Sequence, residues 1–252
     1  MAILSHRYRF LFLKSRKTAG SSIEISLGQL CGPDDVLCPT RDGPEFGVVE
    51  QNNRKAPGER TLYDYRLLVR QAAGQLLRER KLKLKQLRRR AFRILPESHT
   101  TAAQAKHSLP AEQWDNYFTF CFERNPFDRL VSFYHWRTKD HDPKPGFREF
   151  ALAALSNDPL RKRRYNAQQF SNLPFYEIGG KVVVDRVCRF EHIEEELAEV
   201  AQQLGLPWDG SLPRAKGNIR ESRSYREYYD AELRRRCEQA FEPECRLLGY
   251  TF

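Results

Sequence analysis

No apolar run in this chain approaches the ~20 residues that a membrane-spanning helix needs. The N-terminal stretch MAILSHRYRF is too short and too polar for a secretion signal. These two absences predict a soluble cytoplasmic protein. The six cysteines, Cys31, Cys38, Cys121, Cys188, Cys237 and Cys245, form no C-x-x-C pair and no His/Cys cluster of zinc spacing. Cys121 and Cys188 sit in apolar runs, where a free thiol packs as a small hydrophobe. Reduced thiols are therefore expected, with a Cys31–Cys38 disulfide as the alternative. No compact carboxylate cluster marks a magnesium site, so no metal is expected. No internal repeat or linker divides the 252 residues, which implies one domain over 1–252.

What the chain does have is positive charge in one place. Its formal net charge is +10, and residues 78–93, RERKLKLKQLRRRAFR, hold nine Lys/Arg against one Glu. The segment belongs to a helical excursion expected at about 63–95, one long helix or two broken near Gly74. Leu76, Leu84, Leu87 and Ala91 form one stripe that could pack inward and leave a solvated basic face. The other reading is docking of an anionic acceptor, polymer or membrane surface, in which case the protein is membrane-peripheral. No nucleic-acid motif accompanies the run, so no specific nucleic-acid partner is expected.

Three short apolar runs read as buried strands: 8–14, 117–123 and 181–193. A helical pattern follows each one. Ile23, Leu27 and Leu30 have helix spacing after the first. After the second, Asn125 is a good N-cap and Pro126 suits the first helical position. The third precedes EEELAEVAQQLGL, closed near Gly205. Strands alternating with helices predict an α/β fold on a parallel sheet.

In such a sheet, ligands bind outside the carboxyl ends of the strands. LKSRKTAGSS, 13–22, joins the first strand to its helix. It lacks the G-x-x-x-x-G-K-S/T order of nucleotide hydrolases, having one Gly with the Lys ahead of it. It still offers an anion a helix start, a Gly for close backbone approach, the hydroxyls of Thr18, Ser21 and Ser22, and the cation Lys17. The second turn offers Arg124 and, eight residues on, Ser132, which suit a second phosphate. Lys17 could instead be a solvated loop cation, Arg124 could pair with Asp128 at i,i+4, and Ser132 could be a packing residue. Two anion sites on one edge imply a ligand with phosphate groups at both ends of a nucleoside.

RKTAGSS resembles the 5′-phosphosulfate loop of sulfotransferases, and RNPFDRLVSFY their 3′-phosphate motif. SHTTAAQAK is similar to the family's histidine segment, and CRFEHIEEELAEVAQQLGL with SYREYYDAELRRRCEQAFEPECRLLGYTF to its C-terminal third. The likeness is to the carbohydrate-type, family 2 branch, and points to a bacterial cytoplasmic member. It covers most of the chain, least at 31–95 and 139–180. Ser15 and Arg16 stand where the family commonly has Ile-Pro.

The resemblance implies a P-loop-like three-layer fold with a central parallel sheet flanked by helices. It implies a PAPS-dependent sulfotransferase, with 3′-phosphoadenosine 5′-phosphosulfate (PAPS) as donor and a hydroxyl acceptor on a glycan or glycolipid. Lys17, Thr18, Ala19, Gly20, Ser21 and Ser22 would hold the 5′-phosphosulfate. Arg124 and Ser132 would hold the 3′-phosphate, with Lys216, Arg220, Ser222 and the cofactor-binding Arg223 in the segment closing over the nucleotide's 3′ end; that segment could also be a solvated basic loop. Lys17 would stabilise the leaving phosphate. His99, with an ordinary pKa near 6.5, would be the base, Glu97 and Glu123 being alternatives. His99 could also merely cap the following helix. Tyr165, Gln168 and Gln169 could line the acceptor side. The competing functions are a P-loop kinase-like nucleotide enzyme and a non-catalytic basic binding protein.

Overall fold

The computed structural model describes residues 2–38, 42–79, 83–95, 98–164, 170–213 and 223–252. The strands are β1 (Ile3–Ser5), β2 (Phe10–Leu13), β3 (Val36–Leu37), β4 (Phe118–Glu123), β5 (Glu177–Ile178), β6 (Lys181–Val182) and β7 (Arg186–Arg189). Five of them make a central sheet in the order β3-β1-β2-β4-β7. The expected strands β2, β4 and β7 are parallel neighbours, with Leu13 opposite Cys121 and Glu123 opposite Arg189. Every residue of β2 is buried, as a strand covered on both faces requires. The carboxyl ends of these three strands therefore share one edge.

Two features depart from a purely parallel sheet. β1 pairs antiparallel with β2, and β3 antiparallel with β1, so the sheet is mixed. Strands of three and two residues are too short to show a period in sequence. The run 181–193 also divides. Only β7 joins the main sheet, while β6 pairs with β5 across Gly179-Gly180. Both glycines have positive φ (61° and 80°), the backbone of a tight two-residue hairpin.

Helices flank the sheet: α1 (Gly20–Gln29), α2 (Leu62–Glu79), α3 (Leu84–Ala91), α4 (Ala102–Ser108), α5 (Ala111–Asn116), α6 (Pro126–Thr138), α7 (Phe147–Leu155), α8 (Pro159–Arg164), α9 (Ile193–Leu204), α10 (Ala231–Ala240) and α11 (Glu242–Leu248). One apolar core surrounds the sheet, and a second joins α6, α7 and α10 through Phe133, Phe150, Phe170 and Phe241. α2 runs through Gly74 unbroken to Glu79. The expected inward stripe divides as well. Leu87 and Ala91 are buried, but Leu76 and Leu84 are half exposed. All six cysteines are free thiols, Cys31 and Cys38 included. Among the described residues no helix is long and apolar enough to cross a membrane.

Candidate active site

β2 delivers the chain into the loop 14–19, which α1 then ends. Lys17 and Ala19 have φ of 64° and 54°. L-residues seldom adopt this left-handed backbone, and they hold it only where the surroundings impose it. Here the loop is tied from behind at each residue from 15 to 18. The Ser15 hydroxyl donates to Phe122 O at the end of β4. With that proton engaged, Thr18 Oγ1 must be the donor in its 2.9 Å contact with Ser15 Oγ. Asn172, fully buried, accepts from Arg16 N (2.9 Å) and donates to Arg16 O (3.0 Å). The Arg16 guanidinium lies 4.8 Å over Phe175, and Arg124 Nη1 donates to Lys17 O at 3.2 Å. Backbone alternating into the left-handed region turns successive N–H groups to one side, the shape of an anion nest. α1 opens without a side-chain cap, and helix geometry gives the amides of Gly20 and Ser21 no acceptor one turn back.

Gly20 is required by a close approach. A Cβ there would lie 2.7 Å from Lys14 Cγ and 2.8 Å from Lys14 Cε. The Lys14 stem crosses the helix start, and its ammonium bonds Glu24 Oε2 (2.7 Å) and Ser21 Oγ (3.3 Å). Ser21 Oγ in turn donates to Asp42. The hydroxyls of Thr18 and Ser21 thus brace the loop internally, and the amides of Gly20 and Ser21 are the donors that helix geometry leaves over.

α6 forms the second wall. Asn125 caps it, accepting from Phe127 N at 3.1 Å. Arg124 bonds Asp128 through Nε (2.9 Å) and Nη2 (2.6 Å) and stacks 4.3 Å over Phe190. The i,i+4 pairing is therefore real, and the same guanidinium also grips the Lys17 carbonyl. Asp128, Ser132 and Trp136 follow at i+4 spacing along one face of α6. Lys17 Nζ sits 5.4 Å over the Trp136 ring. The loop consequently lies along the face that carries Ser132, which is partly buried. Arg223, exposed, stacks 4.0 Å over Tyr228, whose hydroxyl bonds His135 of α6 at 2.9 Å. His99 meets the loop from its start, with Nδ1 3.0 Å from Lys14 O.

A family model described as the sulfotransferase family matches residues 1–251. The chain belongs to the sulfotransferase family. Membership makes it a transferase of sulfuryl groups and sets aside the kinase-like reading of its loop. An uncharacterised protein of Archaeoglobus fulgidus is 36% identical over 95 residues, covering 37% of this chain and 72% of that protein. No solved structure matches.

In this sulfotransferase His99 departs from the ordinary imidazole. A carbonyl only accepts, so the contact with Lys14 O puts the proton on Nδ1 and leaves the Nε2 lone pair available. Burial pushes the His99 pKa down to about 3, partly opposed by the bond to Lys14 O and reinforced by the charges of Lys14 and Arg16. The ring is neutral throughout the physiological range. It does not cap α4, because Thr101 does so in a reciprocal box with Gln104. The depressed pKa has a measurable consequence. Between pH 6.5 and 3 the unfolded chain takes a proton on His99 that the folded chain refuses, so stability falls as pH falls through that window. Urea unfolding should show about 2 kcal/mol lost from this group between pH 7 and pH 5. His99→Asn should abolish that increment. An unchanged slope in the variant would mean that His99 is protonated in the folded protein.

Glu123 is no base. It is fully buried and accepts from Arg124 N, Arg129, Asn172 and Tyr176. Arg129, also fully buried, bridges Glu123 (2.7 Å) to Glu244 (3.1 Å). Lys14, Asn172 and Trp136 were not singled out from sequence, and only a Lys closing an apolar strand could have flagged one of them. Glu97, Tyr165, Gln168, Gln169, Lys216, Arg220 and Ser222 lie outside the described residues. Among the described residues no group of three or more His, Cys, Asp or Glu could hold a metal ion.

Proposed function

We propose that this sulfotransferase takes its sulfuryl group from 3′-phosphoadenosine 5′-phosphosulfate and delivers it to an acceptor hydroxyl, on a carbohydrate or glycolipid. The observation that carries the reading is the Arg124–Lys17 link. It joins the uncapped loop-to-helix turn that carries Lys17 to the residue that leads into α6, so that both cations meet at one edge of the sheet. In the family's P-loop-like three-layer arrangement, the loop from Lys17 to Ser22, with the amides of Gly20 and Ser21 and the Lys17 ammonium, would hold the 5′-phosphosulfate. Arg124, Ser132 and Arg223 would hold the 3′-phosphate. Three of the five Arg124 donors are engaged by Asp128 and Lys17, which leaves two for a phosphate oxygen.

In the transfer, a bond forms from the acceptor oxygen to sulfur while the bond from sulfur to the bridging phosphate oxygen breaks. Lys17 stabilises the negative charge that gathers on that bridging oxygen. His99 Nε2 takes the acceptor's proton. A neutral imidazole with so low a pKa is a weak base on its own. Anionic groups in the cleft raise its proton affinity, as an opposite charge nearby always does.

The test is thermal shift with adenosine 3′,5′-bisphosphate, the by-product. At a hundredfold excess over its Kd, linkage adds about 2.7 kcal/mol, which is roughly 5–10 °C for a chain of this size. ATP, which has no 3′-phosphate, should shift it less. No shift with the bisphosphate, or an equal shift with ATP, overturns the donor assignment. Transfer of labelled sulfate to cell extracts then identifies the acceptor.

A further inference from the structure

α2 and α3 form a fastened platform with an open outer face. Asp64, buried at the start of α2, receives Lys55 Nζ at 3.0 Å on both carboxylate oxygens and Thr61 N at 2.7 Å. Tyr65 packs edge-on against Phe92, 5.3 Å between ring centres, and α3 turns Leu87 and Ala91 inward. Elsewhere on α2, Leu62 is 67% exposed, Val69 69%, Leu76 50% and Leu77 86%. Positions 62, 69 and 76 recur every two turns on one face, with 77 beside them. Exposed Arg66 and Arg70 run along the edge of this stripe, and exposed Lys85 and Arg88 with Leu84 continue it on α3. Residues 66–93 hold eleven Lys/Arg and one Glu, a net charge equal to the +10 of the whole chain.

We propose that this platform docks on an anionic lipid bilayer. α2 lies in the plane of the interface, with its Leu62–Val69–Leu76–Leu77 face among the acyl chains and the flanking cations on the headgroups. An exposed aliphatic stripe edged by cations, here Arg66 and Arg70, is the pattern of an interfacial helix. The charge selects the occupant. A second copy of the chain would bring the same concentrated positive charge against itself. A nucleic acid would meet the cations but leave the aliphatic residues in water. An anionic membrane satisfies both at once. The inference is independent of the donor assignment.

The experiment is co-sedimentation of the full chain with phosphatidylcholine vesicles, with and without phosphatidylserine. Binding is expected only with phosphatidylserine and should weaken with salt. The paired substitution Val69→Ser with Leu77→Ser, at exposed positions, should reduce binding at least about tenfold. Arg66→Glu with Arg70→Glu should do the same. Both should leave the melting temperature and the bisphosphate shift unchanged. Failure to bind phosphatidylserine vesicles overturns the proposal. So does binding indifferent to the serine pair, which would make the surface a plain polyanion site. A dimer in solution that the serine pair dissociates, without vesicle binding, assigns the face to a second copy and also overturns it.

Discussion

Lys17→Ala is expected to lower sulfuryl transfer by about 100-fold or more, the scale seen when a positioned charge is removed from where a transition state develops its own. The ammonium lies over Trp136 on the face that carries Ser132, and the loop around it is held by bonds that do not involve it. Its main chain is gripped by Arg124 at the carbonyl. Removing the side chain therefore takes away the cation and leaves the cleft in place. The melting temperature should not fall, and affinity for adenosine 3′,5′-bisphosphate should drop much less than turnover. Lys17→Arg should restore little, since a planar fork cannot replace a point charge at one oxygen. Single-turnover rates and bisphosphate affinity, measured separately, decide the matter. Turnover within tenfold of the unaltered protein would remove Lys17 from the leaving oxygen.

The second large effect concerns stability. Arg129→Met is expected to cost about 3–5 kcal/mol, because it strands two buried carboxylates, and to lower the melting temperature by about 10 °C. Glu123 is fully buried and Glu244 nearly so, and burial already pushes the Glu244 carboxyl above its ordinary range while Arg129 draws it back. Adding Glu244→Gln to Arg129→Met should recover part of the loss by removing one uncompensated charge. The damage should also reach the cleft. Glu123 accepts from Asn172, and Asn172 fixes the backbone of Arg16. Bisphosphate affinity should thus fall even where the variant remains folded. Urea unfolding that shows a loss under about 1 kcal/mol would mean that the network carries no buried charge.

β2 and β4 were legible because a strand buried on both faces is a continuous apolar run, as FLFL and FTFCFE nearly are, whereas β7, RVCR and only partly buried, was caught inside a longer run that divides. The helix start at Asn125-Pro126 was legible from capping chemistry that depends on neighbours alone. β1 and β3 were not, being too short for a period. The stripe on the basic helices was half legible. Periodicity told which residues share a face, but Leu76 and Leu84 point outward for reasons set by packing elsewhere. The cleft's cations were visible as residue types in a strand-turn-helix context. What holds them was not. Asn172 reaches Arg16 across 156 positions, and no local pattern announces it. That contact also bears on why position 16 is not proline. Where the family commonly has proline, whose ring restricts the backbone, this chain has an amide N–H that Asn172 uses.

The same contact orders events in time. Residues 14–19 are synthesised before the residues that tie them, which lie 107 and 156 positions downstream. Until Asn172 has been synthesised and buried, Lys17 and Ala19 have little to hold them in a left-handed backbone, and contacts of such separation form late. A chain interrupted before Asn172 lacks the bonds that fix the backbone of Arg16. The loop's left-handed backbone is secured only once Phe122, Arg124 and Asn172 are in place.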